Sequence, residues 1–322
     1  MSTNKTITKI GLGLAALGRP EYINIRSGSI VDKSEEAFKS NALSVLDEAY
    51  NFGVRYFDSA PSYGKGEAFL EAWNTARKHK DVILGTKWGY TYLANWKLGF
   101  KGQHEVKEHS LTKLLEQWGT SKNMFPELKI YQVHSATFES GILENKEVLK
   151  RLYSIKKEIG LQIGITTSGA NQKEVIETAL KVQVDGELLF DSFQVTYNIF
   201  EQSTLLVLKK VLQQGKSVII KEALANGRVF KNENFQHYGV FYKKLSELSQ
   251  KYQVGEDAIA LRFIIDSLQP TYVLSGASNT NQLKLNLKAL DFNLTEQELD
   301  FFKSIKESPK KYWEERSLLS WN

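Results

Sequence analysis

Residues 38–60 read FKSNALSVLDEAYNFGVRYFDSA. Phe38, Ala42, Val45, Leu46, Ala49 and Tyr50 recur at spacings of three and four, which places them on one face of a helix. Gly53 follows, a residue suited to the left-handed position that closes a helix, and Tyr56–Ala60 then reads as a strand. The same helix–Gly–strand unit returns twice. Leu149, Leu152, Ile155 and Ile159 precede Gly160 and the β-rich run Gln162–Ser168; Leu205, Leu206, Leu208 and Leu212 precede Gly215 and Ser217–Glu222. Further β-rich runs lie at Lys9–Ala15, Val82–Lys87, Lys129–His134, Ser192–Asn198 and Tyr272–Ala277. Eight strand–helix units over residues 1–322 predict an α/β fold of one (β/α)8 TIM barrel, with long βα loops and a C-terminal tail at the face where the strands end. A doubly wound open sheet is the rival. It would carry a G-x-G-x-x-G turn after the first strand, whereas Gly11 and Gly13 are followed by Gly18, two residues too late.

Composition narrows the function classes. The chain has 42% hydrophobic and 25% charged residues, ordinary values for a globular protein. No cysteine is present, so disulfides, a thiol nucleophile and thiolate metal sites are excluded. The five His show no metal-ligand spacing, and no metal is expected. The net charge of +5 is spread along the chain, so it predicts no nucleic-acid partner, and the longest apolar runs fall short of a membrane span. The leader MSTNKTITKI has no apolar core, and the expectation is a cytoplasmic protein.

Three consecutive strands finish in polar groups. Asp58 ends Tyr56-Phe57-Asp58, Lys87 ends Val82–Lys87, His134 ends Ile130–His134, and Tyr63 lies five residues beyond Asp58. In a barrel these ends ring one pocket. Singly, each has a plainer reading: a turn-forming Asp, a solvated Lys, a His bonded to a carbonyl. Together they suit proton transfer by a phenol, with Lys87 lowering the Tyr63 pKa, Asp58 holding Lys87, and His134 bonding a substrate carbonyl or helping to relay the proton. A phenol reduces nothing by itself, so the set calls for a hydride donor such as a nicotinamide.

The strings FDSAPSYGKGE (57–67), Thr86-Lys87 and QVHS (132–135) resemble the active-site signatures of the aldo-keto reductase superfamily. GLGLAALG (11–18), QIGITT (162–167), FQVTYN (193–198) and VLSGAS (273–278) with Gln282 and Asn286 extend the resemblance along nearly the whole chain. It implies a (β/α)8 barrel holding an extended NADP(H) or NAD(H) at the strand ends, with Asp58, Tyr63, Lys87 and His134 as the catalytic tetrad. It also implies cofactor contacts from Gly13, Thr166, Thr167, Gln194, Lys221, Ser275, Gly276, Ser278, Asn279, Gln282 and Asn286. Two departures stand out. Thr166-Thr167 replaces the usual Ser-Asn, and Lys221-Glu222-Ala223-Leu224 replaces an aromatic followed by Ser-Pro-Leu. Lys221 is then either a cation beneath the nicotinamide or half of a surface pair with Glu222. The family's phosphate-binding Lys and Arg read here as Gly276 and Gln282, with Lys284 as a basic replacement. NADP(H) is the expected cofactor and NAD(H) the open alternative.

Specificity is expected in the loops. Arg19–Asp32 carries Tyr22, Ile23 and Ile25; Trp88, Tyr90, Tyr92 and Trp96 follow Lys87; the tail holds Tyr312, Trp313 and Trp321. Tyr22, Trp88, Tyr90 and Trp313 are the expected substrate contacts, for a small-molecule carbonyl or a sugar. Lys101, His104 and Lys107 read as a solvated loop. The expected activity is carbonyl–alcohol interconversion. The alternatives are aldose oxidation, a non-catalytic nicotinamide-binding subunit of unstated oligomeric state, and a Schiff-base aldolase using Lys87.

Overall fold

A computed structural model describes residues 8–22 and 32–320. Residues 1–7 of the leader and the positions of Ile23, Ile25 and Trp321 lie outside the described residues. Eight parallel strands close into a barrel: β1 (Ile10–Gly13), β2 (Tyr56–Asp58), β3 (Ile83–Trp88), β4 (Leu128–Ala136), β5 (Gln162–Thr167), β6 (Ser192–Thr196), β7 (Ser217–Lys221) and β8 (Tyr272–Ser275). Each pairs with its sequence neighbour, and β1 closes the ring on β8 through Ile10–Val273 and Leu12–Ser275. All eight β-rich runs are strands, and the open-sheet rival is excluded.

The helices α1 (Glu35–Asn51), α2 (Gly66–Arg77), α3 (Leu111–Ser121), α4 (Lys146–Ile159), α5 (Gln172–Ala179) and α6 (Leu205–Gln213) follow β1 to β6 in turn. Two helices, α7 (Gly239–Tyr252) and α8 (Glu256–Leu268), lie between β7 and β8, and α9 (Thr280–Leu287) follows β8. The tail adds α10 (Glu296–Ser304) and α11 (Pro309–Ser317). The α1 stripe of Phe38, Ala42, Val45, Leu46 and Ala49 is buried, as its spacing requires. Gly53, Gly160 and Gly215 all have positive φ, the conformation that turns each helix into the next strand.

Apolar burial falls into two layers. The large layer lies between strands and helices. Inside the barrel a smaller cluster of Tyr56, Ile130, Ile219 and Leu274 fills the lumen, with Tyr56 stacked on Tyr272 at 4.5 Å. Gly11 and Gly85 on the strands flanking β2 leave room for the Tyr56 ring, which any Cβ there would strike. The packed lumen leaves chemistry to the rim where the strands end. Among the described residues, no helix is long and apolar enough to cross a membrane.

Candidate active site

A cavity of about 660 Å³ opens at the strand C-termini. Asp58, Tyr63 and His134 line it. Lys87 does not; it is fully buried just behind them, its Nζ 2.5 Å from Asp58 Oδ2 and 3.0 Å from the Ser59 carbonyl oxygen, to which it donates. Lys87 Nζ stands 4.7 Å from the centre of the Tyr63 ring, and the Tyr63 and His134 rings meet edge to face at 5.8 Å. A Lys87 ammonium held this way is not offered to a substrate carbonyl, which leaves the Schiff-base reading without geometry.

Local backbone explains how these groups converge. β4 is irregular between Val133 and Ala136, and Ser135 has φ of +49°. A bulge of this kind re-aims its side chains, and here it includes His134. The bulge is held where the Ser135 N–H donates to Thr166 Oγ1 at 2.7 Å. The Tyr63 loop rests on close backbone packing: the Lys65 N–H donates to the Gly18 carbonyl at 2.7 Å, and a Cβ on Gly18 would collide with the Tyr63 carbonyl oxygen and the Gly66 amide. Glu67, on the first turn of α2, accepts from Ser121 Oγ at 2.9 Å and Thr86 Oγ1 at 2.5 Å, anchoring that helix beside β3.

The electrostatics depart from one sequence expectation. Tyr63 is pushed well above an ordinary phenol by burial and then by the Asp58 charge, with Arg19 opposing. Lys87 does not bring it down, because its charge is matched at contact distance by Asp58. The phenol therefore stays protonated. His134 is held well below the usual imidazole value by burial and by Lys87 and Lys221, so its ring is neutral. Asp58 Oδ1 accepts from Tyr56 Oη at 3.0 Å and Gln194 Nε2 at 2.8 Å.

Of the residues expected at the cofactor, Gly13, Gln194, Lys221 and Ser275 line the cavity, as do Gly276, Ser278, Gln282 and Asn286. Thr166, Thr167 and Asn279 are not on its wall. Thr166 is spent on the β4 bulge. Thr167 is fully buried with its hydroxyl unbonded, and Asn279 caps α9 by accepting from the Gln282 N–H at 2.9 Å. Lys284 faces outward to Glu48 at 3.6 Å. Lys221 is on the wall and donates to Thr196 Oγ1 at 2.9 Å. Its expected surface partner Glu222 instead binds Arg316 of α11 at 2.8 Å.

Among the substrate candidates, Tyr22, Tyr90 and Trp313 line the cavity. Trp88 does not. Strand alternation turns it to the opposite side from Lys87, where it is fully buried against His109 at 5.5 Å. The segment expected to be a solvated loop is a β-ribbon, Tyr90–Tyr92 paired with Glu105–Lys107, with His104 buried. Sequence reasoning missed Arg19, Glu105, Arg316 and Asp257, all on the wall. Arg19 is 2% exposed, binds Glu105 Oε1 at 2.5 Å and lies over the rings of Tyr22 and Tyr63 at 4.7 and 5.4 Å. Its place directly after Gly18 was the available signal; its partner is 86 residues away.

The barrel thus sets Asp58, Tyr63 and His134 on one cavity, with Lys87 directly behind them. The sequence model of the Aldo/keto reductase family matches residues 9–307, and the chain belongs to that family. Its members are oxidoreductases that use nicotinamide cofactors. The uncharacterized oxidoreductase YqkF of Bacillus subtilis (strain 168) is 24% identical, covering 92% of each chain. The NADH-specific methylglyoxal reductase of Escherichia coli (strain K12) is also 24% identical, over 95% of this chain and 97% of its own. Among solved structures, the holo form of the aldo-keto reductase AKR11C1 from Bacillus halodurans superposes with a TM-score of 0.67 at 20% identity, covering 94% of this chain and 93% of the other.

Proposed function

We propose that the protein is an NAD(P)(H)-dependent reductase of small carbonyl compounds, with Tyr63 as general acid. The observation that carries this reading is the Tyr63 phenol on the cavity wall, kept protonated by burial and Asp58, with the neutral His134 ring beside it. A protonated phenol is a donor, which favours reduction; in oxidation the same oxygen takes the proton back. Lys87 and Asp58 position Tyr63, and His134 offers a hydrogen bond to the carbonyl oxygen.

The residues present fit a nicotinamide. Gln194 Nε2 is committed to Asp58, while its buried Oε1 has no hydrogen-bond partner and suits a carboxamide donor. When bound, the nicotinamide supplies or takes up the hydride. The likeness to a methylglyoxal reductase supports small aldehydes as substrates. Aldose oxidation is the second reading, favoured by the aromatic faces of Tyr22, Tyr90 and Trp313 on the wall, which suit the C–H faces of a sugar.

The test is nicotinamide absorbance with aldehydes, ketones and sugars in both directions. Tyr63→Phe should lower kcat by roughly 10²–10⁴ while nicotinamide affinity changes by less than about threefold. Near-wild-type turnover in that variant overturns the role. Binding without turnover of any substrate favours the non-catalytic subunit.

A further inference from the structure

Ion pairing leaves two unmatched charges on the cavity wall. Asp58 is matched by Lys87 at 2.5 Å, Arg19 by Glu105 at 2.5 Å, and Arg316 by Glu222 at 2.8 Å. Among the described wall residues, the Lys221 ammonium and the Asp257 carboxylate remain without an ion-pair partner. They mark different parts of the cavity. Lys221 stands at the end of β7, where it feels first the charges of Glu222 and Arg316 and then those of Lys87 and Asp58. Asp257 is the second residue of α8, outside the ring of strands.

Asp257 is 8% exposed and built into a relay. Its Oδ2 accepts from Asn286 Nδ2 at 2.5 Å; Asn286 Oδ1 accepts from Ser275 Oγ at 2.7 Å; Ser275 Oγ accepts from the Ala277 N–H at 3.2 Å. The relay ties α8, β8 and α9 together and fixes the carboxylate on the wall. Asp257 Oδ1 lies against Gly255, where a Cβ would strike it, and makes no hydrogen bond among the described residues. That leaves Oδ1 as the unused acceptor of a residue that lines the cavity.

Hydride chemistry keeps the nicotinamide beside Tyr63. From there the wall over the ends of β7 and β8 to α8 and α9 is one course open to the remainder of the dinucleotide, and it is the one without cations. Among the described residues, no cation lies on the Asp257, Ser275–Ser278, Gln282 and Asn286 part of that wall. We propose that Asp257 is the cofactor-selecting residue: its carboxylate, on the wall and paired by no cation among the described residues, accepts a hydrogen bond from an adenosine ribose hydroxyl and repels a 2′-phosphate, so the enzyme selects NAD(H) over NADP(H). A carboxylate meeting a free vicinal diol gains a hydrogen bond, whereas a carboxylate meeting a phosphate sets like charges together in a partly desolvated site. This rests on the functional reading above, and it turns the sequence expectation of NADP(H) toward its alternative.

The experiment titrates the full-length protein with NADH and NADPH by fluorescence, without substrate, at low and high salt. NADH is expected to bind at least about tenfold more tightly than NADPH, with the gap narrowing as salt screens the repulsion. Asp257→Asn, which keeps the side-chain shape, is expected to bring the ratio within about threefold of unity, chiefly by strengthening NADPH. Asp257→Ser provides a second variant, with circular dichroism reporting the fold of both. ADP-ribose and its 2′-phosphorylated form as competitors should reproduce the ratio without the nicotinamide. Equal wild-type affinities, preference for NADPH, or a ratio unmoved in both folded variants overturns the proposal while leaving the oxidoreductase reading standing. Failure of both nucleotides to bind overturns the two together.

Discussion

Lys87 Nζ lies 2.5 Å from Asp58 Oδ2, with the side chains 0% and 1% exposed, at the point where β2 and β3 end. Each charge is out of water and depends on the other. Lys87→Met should therefore destabilise the fold by about 3–5 kcal/mol, because it leaves the Asp58 carboxylate buried and unpaired. The double variant Lys87→Met with Asp58→Asn should recover part of that loss. Urea unfolding of both checks this, and an additive double variant refutes it.

Gly18 touches the Tyr63 loop through backbone alone. A Cβ there meets the Tyr63 carbonyl oxygen and the Gly66 amide, which have no slack. Gly18→Ala should cost about 1–3 kcal/mol and displace Tyr63. Kinetics should then show a fall in kcat beyond what lost stability explains, with the fold intact by circular dichroism. Unchanged turnover would detach Gly18 from the placement of Tyr63.

Burial pulls Lys221 down to about 8 from an ordinary 10.5, with Glu222 opposing. Between those values the unfolded chain holds a proton that the folded chain has released, so stability attributable to this residue rises with pH. Lys221→Met should raise Tm most below pH 8, and the gain should fade as pH climbs toward 10.5. Thermal melts across that range decide it; a gain that grows with pH contradicts the assignment.

Arg316 fastens the tail to the rim. Burial favours the neutral acid at Glu222, but Arg316 and then Lys221 hold it down at about 2. Arg316→Met should cost about 1.5–3 kcal/mol at pH 7 and make α11 more accessible to protease. The Glu222 contribution is present above its unfolded value of 4.5 and is lost as pH falls toward 2, so the difference between wild type and variant should shrink in acid. A pH-independent difference would place the cost elsewhere.

The architecture was legible because periodicity and punctuation are local. Helical stripes, left-handed glycines and β-rich runs each need a few neighbouring residues, and eight such units close only a few ways. The alignment of Asp58, Lys87 and His134 at successive strand ends was equally readable. What each side chain touches was not. Trp88 follows Lys87 directly and reads as a loop aromatic, yet alternation along β3 buries it on the helix side of the barrel. Thr166 reads as a cofactor contact, and its hydroxyl also accepts from a bulge in the neighbouring strand, a contact that sequence did not announce.

By itself, then, the amino-acid order determined the barrel and set Asp58, Lys87 and His134 near its strand ends, with Tyr63 in the loop after β2, since these follow from local propensity and register. Only the tertiary structure decided the charge state of Tyr63, which depends on burial and on Asp58 being already matched by Lys87. It also decided which charges on the wall stay unpaired. Arg19 finds Glu105 86 residues away and Glu222 finds Arg316 94 residues away, separations over which sequence carries no pairing signal, and among the described residues no cation pairs with Asp257 on the wall.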